Sequence, residues 1–477
     1  MYLGQLLKSV SKKYQKTDVQ GISFDSRKIK KKDIFFAVQG NQTSGIKFIK
    51  EAIVKGASVV ISDKKIKYKN CPIPLIIVKN ARRSLSEACS CLYRKKPKNI
   101  IAVTGTNGKT SIAHHCAGLM EQTGFMGTIG WGAVGDLRPT LLTTENAVKV
   151  QQRLRCLCSM EQRSVAMEVS SHALDQSRVA DVMFDMAVFS NLSRDHIDYH
   201  GDMNHYAEAK AKLFQYSSLQ AAVINVDGSF GRELAARVRA RGLTCITYGA
   251  AEDAEVRWIV DKYTRRGIRG KWYTKWGDAD LSLPMFGEFS VANVAAAMGV
   301  ALYRGYTLSD VTDVLGHLPS VPGRMEAYRV DGRPTVVVDY AHTPDALRMA
   351  LSAIRMHMGG RLICVFGCGG DRDQGKRPMM GAAVASESDM AIVTADNPRT
   401  EKVDFINEQI VEGFGNWDAY RLIPDREAAV FEALNSASPD DVVLIAGKGH
   451  ENTQEINGHK NVFDDRDFVK NLLGLTD

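Results

Sequence analysis

The sequence predicts an α/β protein of three domains: a small N-terminal α/β unit, a central parallel-sheet domain and a C-terminal doubly wound, Rossmann-like domain. Three observations carry that prediction. Short apolar runs of β type, among them NIIAVT, VAMEV, MAVFSN, TVVVDY, RLICVFG and VVLIAG, alternate with helical stretches, which is the pattern of a parallel sheet covered on both faces. At 477 residues the chain is too long for one core, and about 150 residues per domain gives roughly three. Two polar segments containing proline, KKPKN (95–99) and SVPGR (320–324), interrupt the alternation where boundaries and hinges are expected.

Residues 1–97 read as the first unit: GISFDS and DIFFAV as strands, an amphipathic helix over GIKFIKEAIVKGA, then the strands SVVISD and PLIIV. Residues 98–322 form the second. There NIIAVT enters a glycine-rich turn, SIAHHCAGLMEQTG supplies the next helix, and VAMEV, MAVFSN and AAVINV are further buried strands. In residues 323–477, TVVVDY is followed by a helix from Pro344, then by RLICVFG, AIVTAD, VVLIAG and a closing helix. No internal repeat or low-complexity tract is found. Ligands of such sheets sit beyond the carboxyl ends of the strands, and the polar clusters of this chain follow strand ends.

Composition excludes several classes. With 44% hydrophobic and 24% charged residues the chain has the mixture of a folded globular protein. No apolar run approaches the ~20 residues of a membrane helix, and the opening MYLGQLLKSVSKKYQ lacks the apolar core of a secretory signal, so a cytoplasmic protein without membrane insertion is expected. The nine cysteines are scattered without paired metal-ligand spacing and are expected as free thiols in a reducing compartment. Much of the net charge of +8 lies in lysine runs such as KIKKKD and KKIKYKN, with few aromatics to stack on bases. A solvated lysine-rich surface is expected there, not a nucleic-acid partner.

The chemistry begins at Gly105-Thr106-Asn107-Gly108-Lys109-Thr110-Ser111, which follows the strand NIIAVT and opens a helix. Glycines allow the backbone to approach phosphates, the helix N-terminus offers N–H groups to negative charge, and Lys109 neutralises the outer phosphate oxygens. Thr110 supplies a hydroxyl for Mg²⁺. An ATP-type nucleotide is the expected ligand, although the spacing is shorter than the common GxxxxGK[ST] loop. Farther on, Glu168 ends the strand of VAMEV and His196 follows another strand, in SNLSRDHIDYHGD. A carboxylate and an imidazole at neighbouring strand ends suit hard or borderline cations, but each also has an ordinary structural role open to it. Lys210, in YAEAKAKLF, reads from its residues alone as an exposed helical lysine, and Lys212 as a lysine on another face of the same helix.

Taken together these segments resemble a known family. GTNGKT after a VTG strand is similar to the loop of the Mur ligases and their folylpolyglutamate synthase relatives. FDSRKI, TTENA, MEVSSHALDQSR, DHIDYHGD, GEFSVANVAAA, VPGRME, DYAHTPD, FGCGGDRDQGKRPMMG, DNPRTE and AGKGHE occur in the order found in its diaminopimelate-adding members, across nearly the full chain. The resemblance implies a P-loop ATPase as the central domain and UDP-sugar contacts at Ser26 and at Asn41-Gln42-Thr43. It implies peptide and muramoyl contacts at Thr143, Thr144, Ser170, Gln176 and Arg178. Nucleotide contacts would come from Asn293, Arg324 and Asp339, with His342 in support. It implies further that Lys210 carries CO₂ as a carbamate, which turns a cation into an anionic ligand. Mg²⁺ would then be held by Thr110, Glu168, His196 and Lys210, and Lys109, Glu168, His196 and Lys210 would serve catalysis. A bare ammonium beside Mg²⁺ would be repelled, by about 4 kcal/mol for like charges ~4 Å apart at an intermediate dielectric.

For the incoming amino acid the resemblance points to Arg372, Asp396, Asn397, Arg399, Gly447 and Glu451. Their chemistry suits meso-2,6-diaminopimelate, because Arg399 can hold a distal carboxylate bidentately, Arg372 can grip another acidic group, and Asp396 and Glu451 can accept from ammonium groups. The implied activity is ATP-dependent joining of this amino acid to UDP-N-acetylmuramoyl-L-alanyl-D-glutamate through an acyl phosphate, by a cytoplasmic monomer working on small molecules. The alternatives are a lysine-adding ligase of the same family and a catalytically silent relative acting in binding or assembly. Two departures stand out. Leu142 occupies a position where a polar residue is expected, and the turn NQTSG lacks an acidic residue.

Overall fold

The computed structural model describes residues 1–40, 43–65, 68 and 70–475. They pack as two compact units, Met1–Tyr248 and Gly249–Asp477.

The first unit opens with a four-stranded parallel sheet in the order β1 (Gly21–Ser23), β2 (Asp33–Phe36), β3 (Val59–Ser62), β4 (Leu75–Ile77). Strands β2 and β3 are buried along their whole length because both faces are covered. Alternation sends Ile34 and Phe36 into one core with Leu3, Leu6 and Leu85, and Phe35 into another with Ile49, Ala52 and Val60. The helix expected over GIKFIKEAIVKGA is shorter than its pattern: a 3₁₀ turn, Gly45–Phe48, leads into a helix over Ile49–Val54, and Gly56 at φ 98° turns the chain away.

The second sheet of this unit is built from β5 (Asn99–Thr104), β6 (Thr123–Gly127), β7 (Gly130–Ala133), β8 (Asp136–Arg138), β9 (Ser164–Glu168), β10 (Met186–Phe189), β11 (Ala221–Asn225) and β12 (Thr244–Tyr248). They run in the order β12-β11-β10-β5-β9-β6-β7-β8, all pairs parallel except β6-β7 and β7-β8. The two antiparallel edge strands are absent from the sequence reading. The helix after the glycine-rich turn spans Lys109–Leu119 and stops before EQTG, since Met120 is extended and Gln122 adopts φ 50°.

The second unit begins with an antiparallel meander, β13 (Val256–Thr264), β14 (Gly267–Thr274) and β15 (Gly277–Leu283), which the sequence reading also lacks. Its strands are half-exposed and rich in charge, so no continuous apolar run marks them. A long, largely buried helix, Glu288–Tyr303, follows. The six-stranded sheet is then formed by β16 (Glu326–Tyr328), β17 (Thr335–Asp339), β18 (Leu362–Phe366), β19 (Met390–Val393), β20 (Tyr420–Leu422) and β21 (Val442–Ala446), in the order β16-β17-β21-β18-β19-β20. It is parallel apart from β16. One face packs Val337, Phe366 and Leu444 against Leu347, Leu351 and Met380, and the other packs Val336, Val443 and Ile445 against Ala429, Val430 and Val469. Helices on both faces make the sheet doubly wound, and its carboxyl edge carries the candidate residues. Among the described residues no helix is long and apolar enough to cross a membrane.

Candidate active site

The apolar run NIIAVT makes β5 a central strand, between β9 and β10, and register then fixes the neighbours of the glycine-rich turn. Val103 pairs with Glu168 and Thr104 with Phe189, so the ends of three parallel strands lie side by side. Gly105 (φ 150°) and Gly108 (φ 82°) take backbone angles that favour glycine, and a Cβ on Gly105 would lie 1.9 Å from Ser190 Oγ. The turn is clamped by the segment after β10. The Thr106 N–H donates to the Asn191 carbonyl at 2.9 Å, the Asn107 N–H to Asn191 Oδ1 at 2.9 Å, and the Ser190 hydroxyl to the Asn107 carbonyl at 2.5 Å. The N-terminus of the helix Lys109–Leu119 has no side-chain cap, which leaves N–H groups for an anion.

Two lysines converge on this turn. Lys109 Nζ donates to the carbonyls of Gly105 (3.0 Å) and Thr106 (2.7 Å). Lys210 is 1% exposed, donates to the same Gly105 carbonyl at 2.8 Å and lies 4.1 Å from the centre of the Tyr206 ring. Burial, reinforced by the charge of Lys109, pulls the Lys210 amine down to about 6. Lys212, by contrast, is exposed and pairs with Asp175 at 2.8 Å.

Glu168 is buried, its Oε1 accepting from the Thr128 N–H at 2.6 Å and its Oε2 from the Thr128 hydroxyl at 3.1 Å. A Cβ on Gly127 would come within 2.1 Å of Glu168 Oε1, so the glycine keeps room for the carboxylate. The expected acceptor residues join the same network. The Thr143 hydroxyl lies 3.1 Å from that of Thr128, the Thr144 hydroxyl donates to the Glu168 carbonyl at 2.9 Å, and the Ser170 N–H donates to Thr144 Oγ1 at 3.0 Å. Arg178 donates to the Thr144 carbonyl at 2.8 Å and to Gln176 Oε1 at 3.0 and 2.7 Å. Thr110 is buried, and Leu142 is 45% exposed.

His196 caps the short helix Ile197–His200 at φ 53°, and its ring packs against His172 (4.8 Å) and Tyr206 (6.1 Å), which places it one aromatic ring away from Lys210. Among the described residues no three His, Cys, Asp or Glu side chains converge to hold a metal. Ser26 is elsewhere in this unit, buried beside the four-stranded sheet with its hydroxyl donating to Glu51 Oε2 at 2.6 Å. Thr43 is exposed, and Asn41 and Gln42 lie outside the described residues.

In the second unit, Asn293 is half-buried on the helix Glu288–Tyr303. The Arg324 guanidinium lies 4.4 Å from the centre of the Tyr340 ring. Asp339 ends β17, its two oxygens accepting from the N–H groups of Met325 (2.7 Å) and Ala341 (2.8 Å), and burial raises its carboxyl despite Arg324. His342 Nδ1 is 2.8 Å from the Tyr340 carbonyl.

At the ends of β19 and β21, Asn397 Nδ2 donates to both Asp396 Oδ1 (3.0 Å) and Glu451 Oε2 (2.9 Å). A Cβ on Gly447 would approach Asp396 Oδ2 to 2.9 Å. Arg399 donates to the Gly370 carbonyl at 2.7 Å, which ties it to the loop bearing the exposed Arg372. Beneath these residues lie two buried arginines that are not among the predicted site residues. Arg377, fully buried, donates to Glu401 at 2.8 and 2.9 Å and to Gln409 at 2.7 Å. Arg426, equally buried, is bidentate to Asp465 at 2.8 Å and donates to the carbonyls of Ala395 (3.2 Å) and Ala446 (2.9 Å), the residues just before Asp396 and Gly447. A signal for both exists in the sequence: each is a charge on a helical apolar stripe, Arg377 with Met380, Gly381 and Val384, Arg426 with Ala429, Val430 and Ala433.

Comparison with known proteins places this geometry. Residues 18–93 match the Mur ligase family catalytic domain, 103–301 the Mur ligase middle domain and 323–449 the Mur ligase glutamate ligase domain. The UDP-N-acetylmuramoyl-L-alanyl-D-glutamate–2,6-diaminopimelate ligase of Alkalilimnicola ehrlichii is 42% identical over 474 residues, covering 96% of this chain and 95% of its own. The chain belongs to the Mur ligase family. A solved structure of a ligase with that same name superposes with a TM-score of 0.75 at 35% identity, covering 100% of this chain and 99% of the other. The Mur ligase fold extends to a crystal structure of the MurF ligase from Thermotoga maritima in complex with ADP, with a TM-score of 0.60 at 19% identity over 90% of this chain and 94% of that one.

Proposed function

We propose that the chain is an ATP-dependent ligase that joins meso-2,6-diaminopimelate to the γ-carboxylate of D-glutamate in UDP-N-acetylmuramoyl-L-alanyl-D-glutamate, forming the nucleotide tripeptide of peptidoglycan synthesis. The 42% identity over 96% of the chain to a ligase of that name carries this reading. The division of labour follows the sequence: 1–97 for the UDP-sugar, 98–322 for ATP and 323–477 for the amino acid, in a cytoplasmic monomer.

The chemistry needs an activated acid. A carboxylate is a poor electrophile, and transfer of the γ-phosphoryl group of ATP to it gives an acyl phosphate and ADP. The amine of the amino acid then attacks the acyl carbon, phosphate leaves, and the amine gives up a proton as the amide forms. The residues Gly105 to Thr110 cradle the phosphates, and Lys109 leaves its carbonyl partners to offset charge on the transferring group. Thr128, Thr143, Thr144, Ser170, Gln176 and Arg178 present the acceptor carboxylate beside Glu168.

The donor chemistry fits Mg²⁺. Thr110 and Glu168 are hard oxygen donors, both buried, and burial lowers the Lys210 amine, which favours the neutral form whose lone pair can add to CO₂. Loss of a proton from that adduct leaves a carbamate, a second anionic oxygen donor beside the Glu168 carboxylate, with His196 completing the set. Mg²⁺ held there would supply electrostatic stabilisation of the transferring phosphoryl group.

The test is phosphate release from ATP in the presence of the nucleotide dipeptide and, separately, diaminopimelate, lysine or glutamate. Diaminopimelate is expected to support the fastest turnover, and Arg399→Ala to lower its kcat/KM by about 100-fold, as the loss of a charge-assisted bidentate pair. Equal rates with lysine and diaminopimelate in the native enzyme would refute the specificity.

A further inference from the structure

Charge is unevenly distributed along the chain. Residues 1–98 hold 23 lysines and arginines against 6 aspartates and glutamates, a net +17, whereas residues 99–477 hold 39 against 48, a net −9. Most of the few acids in the first region are already committed. Asp18 pairs with Lys32 at 2.6 Å, Asp25 with Arg27 at 2.9 Å and Glu51 with Lys55 at 2.7 Å, while Asp33 is buried and accepts from the Lys30 N–H at 2.8 Å. Among the described residues Lys28, Lys30, Lys31 and Lys50, all exposed, make no ion pair.

The fold gathers these four cations. Lys28, Lys30 and Lys31 lie on the connection from β1 to β2, and Lys50 on the helix Ile49–Val54 that leads to β3. Connection and helix pack side by side: the Ser26 hydroxyl donates to Glu51, the Lys32 N–H donates to the Gly56 carbonyl at 2.8 Å, and a Cβ on Gly56 would lie 3.1 Å from the Lys31 Cα. Lys30 and Lys31 come just before β2 and Gly56 just before β3, so the basic face reaches the amino edge of the parallel sheet. Ligands of such sheets gather at the carboxyl edge, and substrate recognition therefore does not account for it. Four residues after Lys50, on the same side of the helix, stands Val54, 87% exposed.

We propose that this face is a docking surface for an anionic lipid bilayer, on which the protein adsorbs reversibly through Lys28, Lys30, Lys31 and Lys50, with Val54 among the headgroups and no segment spanning the bilayer. Each lysine held near such a surface favours adsorption by about fivefold, so four without carboxylate partners favour it by several hundredfold, on the order of 10²–10³. The rest of the chain, with its net −9, is repelled by the same surface, which confines attachment to the basic region. Nucleic acid is the other common polyanion, and these side chains suit it less. The 23 cations of residues 1–98 are 19 lysines and only 4 arginines, whereas arginine is the residue that grips phosphates and base edges with two parallel bonds. The helix between them has 6 residues, too few to fill a major groove with a row of base contacts.

Co-sedimentation with vesicles tests it. The full chain is expected to sediment with phosphatidylcholine vesicles containing about 30 mol% phosphatidylglycerol at about 50 mM salt, to ignore phosphatidylcholine alone, and to be released at about 500 mM salt by screening. Lys30→Gln/Lys31→Gln should weaken partitioning by about 25-fold, with ligation in the absence of vesicles unchanged. Lys262→Gln/Lys271→Gln removes the same charge from exposed lysines of β13 and β14 and should leave partitioning within about twofold of native. Val54→Asp should weaken it again, and full binding by that variant would place the bilayer elsewhere on the protein and overturn the assignment. No sedimentation with the anionic vesicles at low salt overturns it too, as does an equal loss in the two double variants, which would leave net charge alone responsible. Two further measurements address other occupants. Tighter binding of a single- or double-stranded DNA oligonucleotide than of the vesicles, at equal phosphate concentration, would assign the face to nucleic acid. Self-association in velocity sedimentation that disappears in Lys30→Gln/Lys31→Gln would assign it to a second copy of the chain, and either result overturns the proposal.

Discussion

Around the phosphate turn, amines are set against backbone carbonyls: Lys109 and Lys210 share the Gly105 carbonyl at 3.0 and 2.8 Å. At the ends of β19 and β21 four cations meet carboxylates, Arg377 with Glu401 and Arg426 with Asp465 at 2.8 Å, Lys448 with Glu451 at 3.5 Å and Arg399 with Glu455 at 3.6 Å. The first arrangement suits a polyanionic ligand, since a lysine can leave a carbonyl for a phosphate without abandoning a buried carboxylate. The second suits a ligand that is itself charge-balanced. Paired buried charges add little net stability, but they hold loops in one geometry, and breaking one half of a pair is costly.

The largest effect should come from the side where charge is held in reserve. Lys109→Ala is expected to abolish turnover, by about 10³-fold or more, because phosphoryl transfer depends on positioned positive charge. Calorimetric binding of diaminopimelate should survive the change. If phosphate release in Lys109→Ala stays within tenfold of native, the phosphate turn is not organised as described.

The paired side should break through stability instead. Arg426→Met leaves the Asp465 carboxylate, fully buried, without its cation, which should lower unfolding stability by about 3–5 kcal/mol in urea titrations. Adding Asp465→Leu should recover much of that loss, because a neutral buried pair carries no desolvation penalty. A single variant that loses less than about 1 kcal/mol would show that Arg426 does not organise the ends of β19 and β21.

What could be read from the sequence follows the same division. Buried parallel strands announce themselves as continuous apolar runs, and the phosphate turn as glycines between a strand and a helix, so the cores of both units and the residues Gly105 to Ser111 are legible in one dimension. The meander over β13–β15 and the hairpin of β22 (Thr453–Ile456) and β23 (His459–Val462) are not, because exposed strands with mixed charge have no such run. Thr128, Tyr206 and Arg426 gain their roles only by contacts between strands or loops far apart in the chain. Arg426 and Asp465, for example, are 39 residues apart. Local spacing carries no trace of such contacts beyond a charge on an apolar stripe.

The smallest effect is a difference in acid sensitivity. His114 and His115 lie in the helix behind the phosphate turn, each 2% exposed, and burial holds their imidazoles down to about 4 and about 3. At pH above 6.5 folded and unfolded chains are alike at these rings. Below 6.5 the unfolded rings take protons that the folded ones refuse, so stability falls with pH by up to about 1.4 kcal/mol per unit for each histidine, or about 2 kcal/mol between pH 6.5 and 5. Glu401 behaves oppositely in position: hydrogen bonds from Arg377 hold its carboxyl below the usual 4.5, so its contribution is intact above 4.5 and is lost only as pH falls further. Between pH 6.5 and 5 the helix Lys109–Leu119 should therefore loosen while the loops at Glu401 hold, which native-state hydrogen exchange can resolve residue by residue. His115→Leu should remove about 2 kcal/mol of the helix's pH dependence over that interval, since a leucine has no proton to take up in the unfolded chain. An unchanged slope in that variant would mean that the two rings are wetter than their burial implies, and the contrast between the two regions would then rest on their charge pairs alone.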